Sequence, residues 1–163
     1  MYATHTTNTT APLLRDAVFY LSQYGVHREH AFVGPNTRDH LDDGPLDVCA
    51  AIYLAATASP LPPVFHNTDT VGEQAAIELI KENPQAMAAI HALWEGLDSK
   101  ITEADVCDEL PTADGPDEWI GRVSYWAATT PANWAEPPTL LEVMGRLIRT
   151  ADAVEQQHNA LTA

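Results

Sequence analysis

Between Leu46 and Ala58 only Asp47 and Thr57 are polar, so a helix drawn through this stretch has no wettable face. Such a helix belongs in the middle of a core, with other elements packed around it. The run Val48 to Ala56 is far short of the roughly 18–20 apolar residues that span a bilayer, which makes it a core helix rather than an anchor. In a chain of 163 residues, enough for one domain, the other segments must cover it.

Proline marks those segments off. Most of the twelve prolines fall between apolar-periodic stretches and cut the chain into helix-sized pieces. Thr10 is expected to cap a first helix with Pro12 in its first turn, where Leu14, Ala17, Val18 and Leu21 form a stripe and Gly25 a stop. Thr70 and Glu73 have capping-box spacing for a helix through Glu82. Asn83 caps the next, with Pro84 at its first position and Met87, Ile90, Trp94 and Leu97 along one side. A further helix is expected over Pro116–Ala128, with Trp119, Val123 and Trp126 sharing a face. Thr139 and Glu142 open the last and longest helix, with Leu140, Met144, Leu147, Ala151 and Val154 inward.

The β signal is confined to Ala31-Phe32-Val33 and Val64-Phe65. Residues 26–45 read as a long polar loop, and 99–116 as another with at most a turn at Thr102–Leu110. The expectation is an all-α fold: one compact domain over residues 1–163, five to seven helices, long polar connections, and frayed tails at 1–9 and 157–163.

Charge then removes whole classes of function. Eight Lys+Arg against 23 Asp+Glu leave a formal charge of −15, which supplies no basic footprint for nucleic-acid phosphates and disfavours anionic membranes. Cys49 and Cys107 lack CxxC spacing, so neither a disulfide framework nor a thiolate zinc site is expected. Met1–Thr10 has no basic and no apolar region of a leader, and a cytoplasmic protein is the expectation. Arg outnumbers Lys six to two and alanine is abundant, a bias that GC-rich coding produces.

Candidate chemistry is sparse. His27-Arg28-Glu29-His30, followed by Asp39, His40, Asp42 and Asp43, offers ligands suited to zinc, iron or manganese. The helical zinc signature requires His-Glu-x-x-His, whose spacing sets both rings on one face, and HREH lacks it. A solvated polar loop is the simpler account, and no metal or other cofactor is expected. His91, with Glu95 at i+4, has the placement of a helical general base, against a boundary histidine satisfied by a backbone carbonyl. Burial in the apolar helix makes Cys49 inert, and Asp105, Asp108 and Glu109 oppose a thiolate at Cys107. Neither a G-x-S-x-G elbow nor a glycine-rich phosphate loop occurs, so no catalytic residue is assigned.

From Asp98 to Glu118 eight carboxylates face Lys100 alone, without the order of a calcium loop. This segment suits a solubilising loop, a docking surface for a basic partner, or part of a DNA-mimicking face. Trp134, in a proline-bounded turn, plugs a core end or anchors a partner.

Some of these positions also form a pattern. Leu14-x-x-Ala17 with Tyr20-Leu21 and Gly25, then Val48-Cys49-Ala50-Ala51-Ile52 with Ala55-Ala56, and finally Asn133-Trp134 with Pro138-Thr139, Glu142-Val143 and Leu147, resemble the DUF6197 type, a small family of actinobacterial and actinophage proteins. The resemblance implies an early helix ending in glycine, a Cys-Ala-x-x-Ala-like helix, and a tryptophan ahead of a Thr-capped final helix. It covers core and cap positions, leaves Pro60–Asp117 unmatched, and carries no catalytic residue.

The expected function is therefore a non-enzymatic acidic accessory protein, phage-associated, acting by contact with a basic protein partner through Asp105, Asp108, Glu109 and Trp134, without touching nucleic acid or membrane. Two alternatives stand beside it: a metal-dependent hydrolase built on His27, His30 and His40, and a DNA-mimicking inhibitor of a nucleic-acid-binding protein. Exposed loop charges stabilise folds little, so the variant Asp105→Asn, Asp108→Asn, Glu109→Gln should keep a helical dichroism spectrum and lose less than about 0.5 kcal/mol in denaturant melts. A β-dominated spectrum would overturn the fold expectation, and a larger loss would show that these carboxylates belong to the packed structure.

Overall fold

A helix start leaves backbone N–H groups open, and four of the described helices meet that need with a side chain from the residue just ahead. The computed structural model describes residues 9–29, 31–34, 44–97, 115–129 and 136–163. Its helices are α1 (Thr10–Tyr24), α2 (Val48–Thr57), α3 (Thr70–Glu82), α4 (Pro84–Glu95), α5 (Pro116–Ala128) and α6 (Leu140–Thr162), with a 3-10 turn at Pro63–His66. The fold is all-α. Two isolated bridges are the only β pairing among the described residues.

Asp47 caps α2, Asp69 caps α3, Asn83 caps α4 and Thr139 caps α6. At α6 the full capping box forms, with the Glu142 side chain accepting from Thr139 N–H and the Thr139 hydroxyl accepting from Glu142 N–H. Two expected caps are different. Thr70 is the first residue of α3 rather than its cap, because Asp69 one step earlier accepts from Gly72 N–H and brings a negative charge to the helix's positive end. Thr10 likewise lies inside α1, whose preceding Thr9 already has helical dihedrals and caps nothing with its side chain.

The all-apolar helix lies where its composition demands. Val48, Cys49, Ala50, Ala51 and Ile52 are fully buried, and α1, α3, α4 and α5 all pack on α2. The first helix contributes Leu14, Ala17 and Leu21, and the last Val143, Leu147 and Ala151. On α4 the innermost residues are Ala86, Ala89, Ile90 and Leu93, while Met87, Trp94 and Leu97 are only half-buried. Two alanines are among the four innermost residues of α4, so its buried face is offset from the stripe of large residues.

The stretch after α1 is more ordered than a loop. Gly25 turns the chain at φ 84°, a left-handed conformation that glycine adopts without penalty. His27 N–H then donates to Leu46 O, Leu46 N–H to Gly25 O, and Asp47 N–H to Phe32 O, at 2.7–2.9 Å. Leu46 is thereby bridged by Val26 on one side and Val33 on the other. The Phe65 carbonyl accepts from both Phe32 and Val33, and the Phe65 ring packs against Phe32 and Tyr53. The two β-like scraps thus meet each other, although Val64 and Phe65 sit in a 3-10 turn.

α6 continues to Thr162, through residues expected to fray, and Arg15 of α1 ties it down by ion pairs to Asp152 and Glu155. No helix among the described residues is long and apolar enough to cross a membrane. Two leucines of α6 test the packing. Leu147 is fully buried and Leu141 is 76% exposed. Leu147→Ala should cost about 2–5 kcal/mol in a urea titration, and Leu141→Ala no more than about 0.5 kcal/mol; equal costs would place the core elsewhere.

Candidate functional site

The bridged segment after α1, the start of α2, and one face each of α3 and α5 enclose a cleft of about 560 Å³. Its floor and walls are mainly apolar, from Ala31, Phe32, Ile77, Ile120 and Ala128. Set into this surface are Asp47 and Ser124, with His27, Arg28, Glu29, Glu73 and Tyr125 around them. A largely apolar cleft with a few convergent polar groups is the usual form of a small-molecule site.

Asp47 is the key side chain. It is 8% exposed, and its Oδ1 accepts from Cys49 N–H at 2.7 Å and from the Ser124 hydroxyl at 3.0 Å. Burial pushes its carboxyl from the ordinary 3.8 up to about 6, against the pull of Cys49 N–H, the Ser124 hydroxyl, Ala50 N–H and the charge of His27. The group is thus mostly ionised at neutral pH but takes up a proton readily. A serine or asparagine cap would satisfy the same N–H without a desolvated charge.

Cys49 lies beside this carboxylate, its Sγ 3.5 Å from Ser124 Oγ and donating to the Ile120 carbonyl at 3.6 Å. Burial first, and then the neighbouring Asp47 charge, push its thiol well above the ordinary value. The sulfur is therefore no nucleophile, as the sequence suggests. Nor is Ser124 activated as in a Ser-His-Asp arrangement: its proton is held directly by a carboxylate, a weak base for an alcohol, with no imidazole between. What the arrangement does well is accept a hydrogen bond or exchange a proton in a water-poor wall.

Three backbone features shape the cleft. Ala31 has φ 81°, a conformation that alanine adopts only when its surroundings impose it. A Cβ on Gly34 would stand 2.6 Å from His27 Nδ1, so only glycine lets this imidazole lie against the backbone there. Gly121 is exposed in the middle of α5, and a Cβ on it would meet nothing within 4 Å. A helix-interior glycine costs roughly 0.5–1 kcal/mol relative to alanine. No contact within the structure requires it, and what it leaves is room in the cleft.

The sequence-derived candidates distribute unevenly. Of the metal-ligand set, His27 lines the cleft, while His30 and His40 lie outside the described residues, as do Asp105, Asp108, Glu109, Cys107 and Trp134. Among the described residues no group of three or more His, Cys, Asp or Glu is placed to hold a metal ion. His91 stacks on Trp94 and meets Trp119 at a tilt of 50°, with ring centroids 5.5 and 4.1 Å away, and its Nε2 is 3.6 Å from Glu95. Aromatic faces, rather than a backbone carbonyl, occupy it. Asp47 and Ser124 carry no sequence motif; the one available signal was an acidic residue at the mouth of an otherwise apolar helix.

A smaller hollow of about 270 Å³ lies between α4 and α6. There Arg146 donates to the Gly96 carbonyl at 2.9 Å and closes the end of α4, which is a structural task. No protein-family model, curated protein or solved structure matches this chain.

The folded-state value of Asp47 lies above the unfolded one, so the folded chain binds more protons between about pH 4 and 6. This contribution to stability is greatest below about pH 4 and is lost as pH rises through 6, a change of roughly 2–3 kcal/mol. Asp47→Asn removes it. The stability of the variant relative to the parent should therefore rise by that amount between about pH 4 and 8 in urea melts. A constant difference would show that Asp47 does not titrate in this range.

Proposed function

We propose that this chain is a small-molecule-binding protein whose ligand occupies the cleft between the Val26–Gly34 segment, α3 and α5. The observation that carries this reading is Asp47, a buried titratable carboxylate in the wall of this largely apolar cleft. Two features support it. Ala31 holds a strained backbone in the same wall, and Gly121 leaves open a space that alanine would fill at a gain in helix stability.

A second reading is favoured by charge. Among the described cations Arg15, Lys81 and Arg122 are already neutralised by carboxylates, within a chain of net charge −15. An acidic accessory protein that docks on a basic partner through Asp105, Asp108, Glu109 and Trp134 is compatible with a ligand cleft on the same domain. Descent from the DUF6197 type belongs to this second proposal, and it rests on core and cap positions.

The first reading has a direct test. Gly121→Leu should fold with equal or greater stability, because the site is open and the helix gains a better former. In ligand-observed NMR with a set of small aromatic and aliphatic fragments, those that bind the parent should lose at least tenfold in affinity to the variant. Fragments that bind both proteins equally, or no binding to the parent at all, would overturn the cleft as the ligand site.

A further inference from the structure

Charges inside the cleft specify its occupant more narrowly. Half of the described Lys and Arg side chains are answered by acids: Arg15 holds Asp152 and Glu155, Lys81 holds Glu78 and Asp117, and Arg122 holds Glu118. Arg146 closes the negative end of α4, and Arg149 is exposed to solvent. Arg28 has none of these compensations. Its Nη2 donates to the Pro138 carbonyl at 2.6 Å, its Nε is buried without a hydrogen-bond partner, and no described carboxylate pairs with it. Pro138 lies directly ahead of Thr139, the cap of α6, so the guanidinium stands at the start of that helix, where Glu142 accepts from Thr139 N–H. Arg28 is partly buried, lines the cleft and pairs with no described carboxylate, which makes it the cleft's position for an anion.

The same cleft holds an acceptor of opposite sign. Asp47 receives Cys49 N–H, Ala50 N–H, Ser124 and the Cys49 thiol, with His27 nearby, and its carboxylate sets the negative sign of this wall. Glu29 and Glu73 add negative charge at the rim, and neither forms an ion pair with a described residue. A purely anionic ligand would satisfy Arg28 and be repelled by these three acids. A purely cationic ligand would satisfy the acids and leave Arg28 unanswered. Phe32, Ile77 and Ile120 provide apolar surface in the same cleft.

From this juxtaposition we infer that the cleft binds a small zwitterion of the amino-acid type, with its carboxylate on Arg28, its ammonium on the side of Asp47, and an apolar side chain against Phe32, Ile77 and Ile120. The inference rests on the cleft being the ligand site and adds the chemistry of the ligand. Arg28 and Asp47 are the two specificity-determining residues, because each rejects ligands that lack its counter-charge. Complementary ends also fix the ligand's direction in the cleft.

Calorimetric titration of the full chain, near pH 7.5 and at low salt, tests this with phenylalanine and leucine as probes. Each is compared with its decarboxylated counterpart (phenethylamine, isoamylamine) and its deaminated one (3-phenylpropanoate, 4-methylpentanoate). At least one amino acid should bind tenfold or more tighter than both of its counterparts. Arg28→Gln should remove the preference over the amine, and Asp47→Asn the preference over the acid, each to within about twofold. Arg28→Lys, which keeps the charge without the two-pronged donor, should retain part of the preference, and the comparison within the parent protein holds even where a variant fails to fold. An amine or an acid binding as tightly as its amino acid overturns the zwitterion, and so does a preference that survives Arg28→Gln. The absence of binding by either amino acid at millimolar concentration overturns it as well. Those outcomes are separable from failure of the cleft itself, which Gly121→Leu reports with the fragment set.

Discussion

Burial of α2, opened by the Asp47 cap, is the constraint on which the rest of the structure depends. A helix without a polar face cannot stand at a surface, so α1, α3, α4 and α5 are arranged as its cover. Its first turn is therefore buried too, and the N–H groups there must be met from within the protein. Asp47 meets them, at the cost of carrying a carboxylate into a water-poor wall. Hydrogen bonds from Ser124 and the backbone, together with the charge of His27, offset part of that cost. One residue thus starts the central helix and places a titratable group in the cleft.

The remaining site residues follow from the same burial. Leu46, directly before Asp47, is fully buried and bridged on both sides, which draws Val26–His27 and Phe32–Val33 to the mouth of α2. His27 and Arg28 reach the cleft because this short pairing leaves little slack, and the positive φ of Ala31 is where the backbone gives way. Phe65 closes the unit by accepting from two N–H groups with its carbonyl and packing its ring on Phe32. A region that composition presents as a polar loop is, in its described parts, a frame around the candidate site.

Acidity bears on the cleft as well as on the outer surface. A charge of −15 makes each uncompensated cation informative, and arginines lacking an acid stand out only once the paired ones are known. Arg146 and Arg28 both leave a buried Nε without a partner, yet they differ in kind. Arg146 sits at the negative end of a helix, where its charge is at home, and Arg28 at the start of another. Helix direction, which no composition records, separates a structural arginine from a candidate ligand-binding one.

By itself the sequence determined the helical class, the central place of Val48–Ala56, the limits of α5, the Asn83 cap and the Thr139–Glu142 box. These are local matters, decided by periodicity, proline and side chains that reach backbone groups within one turn. It was misleading at Thr70, where a better cap stood one residue earlier, and on α4, whose innermost face is Ala86, Ala89, Ile90 and Leu93 rather than the stripe of larger residues. Tertiary structure alone decided the site. Asp47 and Ser124 are 77 residues apart, and Arg28 and Pro138 are 110 apart, so no spacing rule brings either pair together. The raised Asp47 carboxyl, Arg28 without a described carboxylate and the space beside Gly121 arise from burial, helix direction and shape, which exist only once the helices have packed around α2.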